Sequence, residues 1–231
     1  MNERSLSILI TIIKEHIDTG APVGSSVLVD KYKIGISPAT VRNEMSQLES
    51  DGYIAQPHIS AGRIPTENAY NLYLNDIRSK KLSSSAKSSI DDVLIDDSDQ
   101  SFKETAKVIS NISGGAIFWA FHKHNLFYTG ISNLFQQPEF SQLDVIQDLS
   151  VVIDQMEEII DNIYSDIEDG VSVLVGKKNP FGAFCSTVFL KYRTENGVGV
   201  CGILGPMRMD YEKNIAVAEF IKKKIETRDK N

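Results

Sequence analysis

One stretch, SPATVRNEMSQLESDGY from Ser37 to Tyr53, constrains the fold more than any other. Ser37 suits an N-cap, because its hydroxyl can accept from an unpaired N–H of the first helical turn. Pro38 then stands at the first helical position, where its missing N–H costs nothing. Val41, Met45 and Leu48 recur at helical spacing and form a buried stripe. Gly52 ends the helix as a C-terminal cap. The same geometry leaves Ala39, Thr40, Arg42, Asn43, Ser46 and Gln47 pointing outward.

The flanking segments define what this helix belongs to. Residues 3–18 carry Leu6, Leu9, Ile12, Ile13 and Ile17 at helical spacing, and TGAPVG (19–24) breaks the run. A second short helix follows, with Ser25 as its N-cap and Val27, Leu28 and Tyr32 apolar; KIGIS (33–37) is a turn. After Gly52, YIAQP reads as a strand, QPHISAGRIPT (56–66) as a loop, and Ile64 begins a return strand. Thr66 then caps a helix with Tyr70, Tyr73, Leu74 and Ile77 on one side. Three helices followed by strand–loop–strand is the order of a winged helix-turn-helix.

That order gives the polar residues a chemistry. Arginine bonds guanine edges bidentately and asparagine does the same for adenine, so Arg42 and Asn43 are candidate base readers, with Thr40 beside them and Ala39 small enough for close approach. Ser25, Lys33 and Ser37 are placed for phosphate contact. In the loop, Ser60, Ala61 and Gly62 leave Arg63 as an unshielded cation at the tip, suited to a narrow minor groove, with His58 and Ser60 as further contacts. The plain alternatives are a solvated helix face and an ordinary surface hairpin. Helix and loop together favour DNA.

The net charge of −7 at first argues against nucleic acid. Its distribution removes the objection: residues 1–81 hold nine Lys/Arg and nine Asp/Glu, so the excess acid lies entirely in the remainder. No apolar run approaches the roughly 18 residues of a membrane span, and the start MNERSLSILI does not read as a signal peptide. Two cysteines, Cys185 and Cys201, point to a reducing, cytoplasmic setting, with nucleoid association expected of a DNA binder.

RSKKLSSSAKSSIDDVLIDDSDQS (78–101) is rich in Ser, Lys and Asp and reads as a domain junction, with one short helix at 86–95. The expected organisation is therefore a DNA-binding domain over 1–78, a linker over 79–101 and a second domain over 102–231. The second domain reads as a helix (102–112), the strand AIFWAF (116–121), a turn region to about 140, and a long helix over about 142–167. Strands VSVLV (171–175), FCSTVFLKY (184–192) and GVGVCGIL (197–204) and a last helix (about 210–226) complete it. Asn196-Gly197 is a hairpin signal between the last two strands. The fold class is α+β.

The segment PVGSSVLVDKYKIGISPATVRNEMSQLESDGYIAQPHISAGRIPT closely resembles the N-terminal domain of the HrcA family, heat-inducible transcription repressors of bacteria. SPATVRNEM and QPHISAGRIPT are its most specific stretches, although the family usually has Thr where Ile59 stands. GISNLFQQPEF (130–140) and GILGPMRMDYEKNI (202–215) resemble the family's closing motifs. The resemblance implies a winged helix-turn-helix followed by a GAF-like domain. It implies a homodimer that represses chaperone genes from an inverted-repeat operator, called CIRCE, with the GroE chaperonin as a partner. One departure is large: HKHN (122–125) is nearly all that lies between AIFWAF and LFYTG, where the family carries a long middle section with an inserted dimerisation domain. The chain thus resembles a shortened member with a reduced GAF-like domain.

A palindrome reader needs a dimer contact. Ile146, Leu149, Ile153, Met156, Ile160, Ile163 and Ile167 follow heptad spacing, which serves either a coiled coil or, by preference, packing on the helix's own sheet. Tyr70 and Tyr73 offer a second surface. GVGVCG (197–202) matches G-x-G-x-x-G literally, but its glycines fall inside a strand, which argues against a dinucleotide site. His122 and His124 lack a third ligand nearby, so no metal is expected. With Asn196-Gly197 as the turn, Tyr192 faces Cys201, and Cys185 is too distant for a disulfide. No catalytic constellation and no cofactor emerge, so a non-enzymatic repressor is the reading. The alternative is a regulator that senses a small ligand through its GAF-like domain.

Overall fold

The structure, a computed structural model, describes residues 1–228 except Asp76, Arg78, Lys123, His124, Gln142 and Asn196, together with the side chain of His122. The chain divides into two compact units, Met1–Ile77 and Arg78–Asn231.

The first unit runs α1 (Glu3–Thr19), α2 (Ser25–Asp30), α3 (Pro38–Ser50), β1 (Ile54–Ala55), β2 (Ile64–Pro65) and α4 (Glu67–Asn75). α1 buries Ile8, Leu9, Ile12 and Ile13, so the apolar stripe is centred beside Leu6 and Ile17, which are half-buried. Leu28, Val41, Met45, Leu48, Ile54 and Tyr70 complete this core. α3 starts as its sequence demands, with the Ser37 hydroxyl accepting from Thr40 N at 3.1 Å and Pro38 in the first turn. Gly52 follows its C-cap at φ 77°.

Three local expectations are corrected. The N-cap of α2 is Gly24, and Ser25 is the first helical residue. Thr66 does not cap α4 with its side chain; its hydroxyl instead bonds Gly52 O (2.7 Å), which ties the helix start back to the end of α3. Tyr70 and Tyr73 are buried inside the first unit and offer no outward surface.

The second unit is a five-stranded antiparallel sheet in the order β4-β3-β7-β6-β5, clad with helices on both faces. Its strands are β3 (Ala116–His122), β4 (Asn125–Thr129), β5 (Gly170–Val175), β6 (Cys185–Thr194) and β7 (Gly197–Pro206). The helices are α5 (Ser84–Asp91), α6 (Asp99–Ser113), α7 (Ile131–Phe135), α8 (Leu143–Asp154), α9 (Met156–Ile163) and α10 (Tyr211–Arg228). α6 and α10 cover one face, where Phe102 stacks on Trp119 with centroids 4.9 Å apart and Trp119 Nε1 donates to the Tyr192 hydroxyl at 2.6 Å. Phe118, Phe181, Phe189 and Leu204 form the other face with Leu134, Phe140, Leu149, Met156 and Ile160 from the α7–α9 side.

The stretch 79–101 is folded rather than a linker. α5 lies within it and buries Ile90, Leu94 follows into the core, and Lys80 pairs with Asp210 at 3.2 Å. The expected turn region before residue 140 contains β4, which pairs with β3. The long helix over 142–167 is two helices, broken at Gln155 (φ −99°, ψ 10°); Glu157 and Glu158 favour the restart by facing the N-terminal dipole of α9. Its apolar stripe packs on its own sheet, with Leu149, Met156, Ile160 and Ile167 buried there.

The β6–β7 register differs by two residues from one centred on Asn196-Gly197. Thr194 pairs with Gly197, so Leu190 rather than Tyr192 faces Cys201, and Asn196 lies outside the described residues. Cys185 is buried on the Phe118 face and Cys201 beside Trp119 on the other, and both thiols are free.

The literal G-x-G-x-x-G match has a packing cause. Gly199 pairs with Tyr192 and Gly202 with Phe118 across the sheet. A Cβ on Gly199 would lie 2.3 Å from the Tyr192 ring, and one on Gly202 would lie 2.0 Å from the Phe118 ring. Each glycine leaves room for a cross-strand aromatic ring lying over its backbone.

Candidate nucleic-acid interface

α3 turns a polar face outward. Ser37, Ala39, Arg42, Asn43, Ser46 and Gln47 are exposed, and Thr40 is half-buried. Internal bonds narrow this set. The Ser37 hydroxyl is engaged with Thr40 N and Thr40 Oγ1, Ser46 donates back to Arg42 O (3.0 Å), and Gln47 donates to Asp51 (2.8 Å). Among the described residues, no side-chain hydrogen bond or ion pair engages Arg42 or Asn43. Their heads are available to an external partner without loss of an internal bond.

Carboxylates missed in the sequence fix this helix in place. Glu44 Oε2 accepts from the Ser5 hydroxyl at 2.7 Å, and Arg4 Nε donates to Glu44 Oε1 at 2.9 Å. The Ser5 bond, and then Arg4, hold the Glu44 carboxyl below the usual range. Glu44 thus locks the rotation of α3 against α1. Glu15, buried on α1, accepts from Lys31 and from the Tyr32 hydroxyl (2.6 Å), tying α1 to the end of α2; these bonds lower its pKa and raise that of Tyr32. The only sequence hint for either acid was its place beside an apolar stripe.

The loop between β1 and β2 departs from expectation at its cation. Arg63 is not the exposed tip. It is 21 % exposed, its Nε and guanidinium nitrogen lie 2.9 Å from Glu49 Oε2 on α3, and its backbone pairs with Val23 in both directions. Gly62 lies against the same segment, where a Cβ would come within 2.6 Å of Val23 carbonyl atoms. The tip is instead the turn His58–Ala61, closed by Ala61 N donating to His58 O at 3.0 Å, with Ser60 at φ 71°. His58, Ile59 and Ser60 are exposed there.

Lys33, at φ 49°, lies in the turn before α3 and is exposed, whereas Ser25 is half-buried. Lys33 and Ser60 are the non-glycine residues with positive φ among the described residues. Such backbone outliers gather at binding sites, and both fall in segments that flank the exposed face of α3 in sequence.

Residues 50–215 match the family model described as the HrcA protein C terminal domain, more than half of the chain. The chain belongs to the HrcA family. A heat-inducible transcription repressor HrcA from Carboxydothermus hydrogenoformans is 26 % identical, with 96 % of each chain covered. That alignment runs over 330 positions against 231 residues here, so this chain is a shortened member of the family, lacking internal sequence that the relative carries. The HrcA of Desulforamulus reducens is 57 % identical over 75 residues, which cover 32 % of this chain and 22 % of that one. A crystal structure described as a hypothetical protein superposes with a TM-score of 0.80 at 18 % identity over 98 % of both chains, which shows the shared fold.

The HKHN stretch, where the missing section is expected, joins β3 to β4. In the HKHN stretch, His122 ends β3 and pairs with Asn125 at the start of β4; Lys123 and His124, and with them the expectation about a metal, lie outside the described residues. Segments inserted at the tip of an antiparallel strand pair can be present or absent without disturbing the ladder. The two closing motifs of the family meet in space: Arg208 Nη2 donates to Gln137 (2.9 Å) and its guanidinium pairs with Glu139.

Proposed function

We propose that this HrcA chain is a sequence-specific DNA-binding repressor of heat-shock genes. In this reading the first unit is a winged helix-turn-helix with α3 as recognition helix, and the second unit is a reduced GAF-like regulatory domain. The observation that carries it is the pairing of exposed, unengaged Arg42 and Asn43 on a helix locked from behind by Glu44. A rigid helix offering one guanidinium and one amide matches direct readout of guanine and adenine in a major groove. Thr40 and Ala39 border that contact, while Lys33, Ser25 and the N-terminal turn at Ser37 serve phosphates. His58, Ser60 and Gly62 belong to the wing; Arg63 reaches DNA only by leaving Glu49.

The operator is an inverted repeat of the CIRCE type, read by a homodimer in the cytoplasm, with a GroE-type chaperonin as regulatory partner. The relatives' name, heat-inducible transcription repressor, supports the heat-shock assignment. Titration of the full chain with a labelled CIRCE-type duplex and a scrambled duplex, with and without chaperonin, tests the reading. Equal affinity for the two duplexes would refute it.

A second reading has one observation in its favour. A cavity of about 290 Å³ opens in the second unit, lined by Ile163, Ile167, Leu174 and Phe189 together with Asp166, Glu168 and Lys178, a size and lining that suit a small ligand with an apolar body and a polar group. Sensing through that unit is tested by a thermal-shift screen with small ligands.

A further inference from the structure

Ile59 is 92 % exposed, the highest exposure among the described large apolar side chains outside contact with the core. Its position is not that of a loose loop residue. It occupies the apex of the hydrogen-bonded turn His58–Ala61, and Gln56 Nε2 braces the turn by donating to Ala61 O at 3.2 Å. The base of the loop is fastened by the Val23–Arg63 backbone pair and by the Arg63–Glu49 ion pair. The turn also holds Ser60 at a positive φ, a conformation disfavoured for a residue with a Cβ. An isoleucine presented to water at the apex of a hydrogen-bonded turn has no folding role visible in its contacts.

The segment from Gln56 to Gly62 contains no Lys, Arg, Asp or Glu. No charged side chain of this tip neutralises a phosphate, so its contact with DNA releases few counterions. An uncharged, narrow projection fits the other surface DNA offers, the apolar deoxyribose walls of the minor groove. That groove is about 6 Å wide, and apolar side chains are used there by proteins of several folds.

We propose that Ile59 is an apolar DNA contact of the wing, seated against the sugar walls of the minor groove beside the major-groove site of α3. This rests on the DNA-binding reading above. It assigns Arg63 to holding the hairpin rather than to the groove. A contact of this kind contributes to affinity without releasing counterions, so its contribution is independent of salt.

The test uses the full chain, a labelled CIRCE-type duplex and fluorescence anisotropy. Ile59→Ala is expected to weaken operator binding roughly ten-fold, the size expected when an exposed isoleucine becomes buried. The log–log salt slope should stay unchanged, as should the melting temperature, because the side chain contacts almost nothing in the free protein. Ile59→Val should keep most of the affinity. Replacing adenine by 2,6-diaminopurine puts an amino group into the minor groove and leaves the major-groove edge intact, and should erase the difference between wild type and Ile59→Ala. Wild-type affinity in Ile59→Ala, or a gap that survives diaminopurine, overturns the assignment. Failure of the wild type to prefer the operator over scrambled DNA instead refutes the DNA-binding reading itself.

Discussion

The Arg63 guanidinium lies 2.9 Å from the Glu49 carboxylate, so the one cation of the β1–β2 loop is tied to the helix before it. Breaking this pair separates two roles for Arg63. Glu49→Gln removes a partly exposed ion pair, so the stability loss should stay below about 1 kcal/mol. It also frees a guanidinium and deletes a nearby negative charge. Affinity for scrambled duplex should rise, and the log–log salt slope should steepen by about one. Anisotropy titrations at several salt concentrations measure both. An unchanged slope would mean that Arg63 stays away from DNA even when released.

Gly62 gives the same hairpin a steric test. Its missing Cβ lets the chain lie against the Val23 backbone, where a methyl group would come within 2.6 Å of main-chain atoms that cannot swing away. Gly62→Ala should separate the two segments and weaken the Val23–Arg63 pair, at a cost on the order of 1–3 kcal/mol. The first unit's melting transition should fall and operator affinity should fall with it. This distinguishes a structural glycine from one in direct DNA contact, since Ile59→Ala leaves the melt alone.

Gly202 carries the corresponding prediction for the second unit. Gly202→Ala drives a Cβ into the Phe118 ring, which is itself packed against Phe181 and Phe189. Unfolding in urea should show a loss on the order of 1–3 kcal/mol. Nucleotides should not protect the wild type against unfolding, because these glycines house aromatic rings rather than a pyrophosphate.

What the sequence revealed follows the range of the physics. Ser37, Pro38 and Gly52 act on their own helix through local caps and φ preferences, so α3 was legible to within a residue or two. The outward placement of Arg42 and Asn43 followed from the Val41–Met45–Leu48 stripe. The ties of Glu44 to Ser5 and of Glu49 to Arg63 join positions 39 and 14 residues apart, and no local pattern encodes them. Composition misled at 79–101, where Ser, Lys and Asp outnumber the two anchors, Ile90 and Leu94, that dock the stretch. β4 was hidden because it is a short edge strand with half-exposed residues. The pairing of Arg63 was not legible because small neighbours in sequence say nothing about an acid on the preceding helix.

Acid should loosen the first unit through Glu44. Its carboxyl is held below the ordinary value of 4.5 by the Ser5 hydroxyl and then by Arg4. A folded-state pKa that lies below the unfolded one adds stability above the unfolded value, and that stability is lost as pH falls through the folded one. Urea midpoints should therefore drop below about pH 4.5. Glu44→Gln should be less stable than wild type at pH 7 and show a shallower decline on acidification. Equal slopes in the two proteins would mean that other carboxylates dominate the acid limb.

The proposed recognition face is tested most directly at Arg42. Because the guanidinium has no internal partner among the described residues, Arg42→Ala should leave the melting temperature within the small range typical of exposed surface changes. Its loss should appear in binding, at about 1–3 kcal/mol on the operator and much less on scrambled duplex, since a bidentate arginine–guanine contact exists only where the base is right. Lys33→Ala is the contrasting case. Lys33 sits in the turn before α3, where a charge reaches phosphate rather than a base edge, so its removal should weaken both duplexes alike and reduce the salt slope by about one. If Arg42→Ala behaves like Lys33→Ala, with equal losses on both duplexes, Arg42 binds backbone and the reading of sequence passes to Asn43 and Thr40.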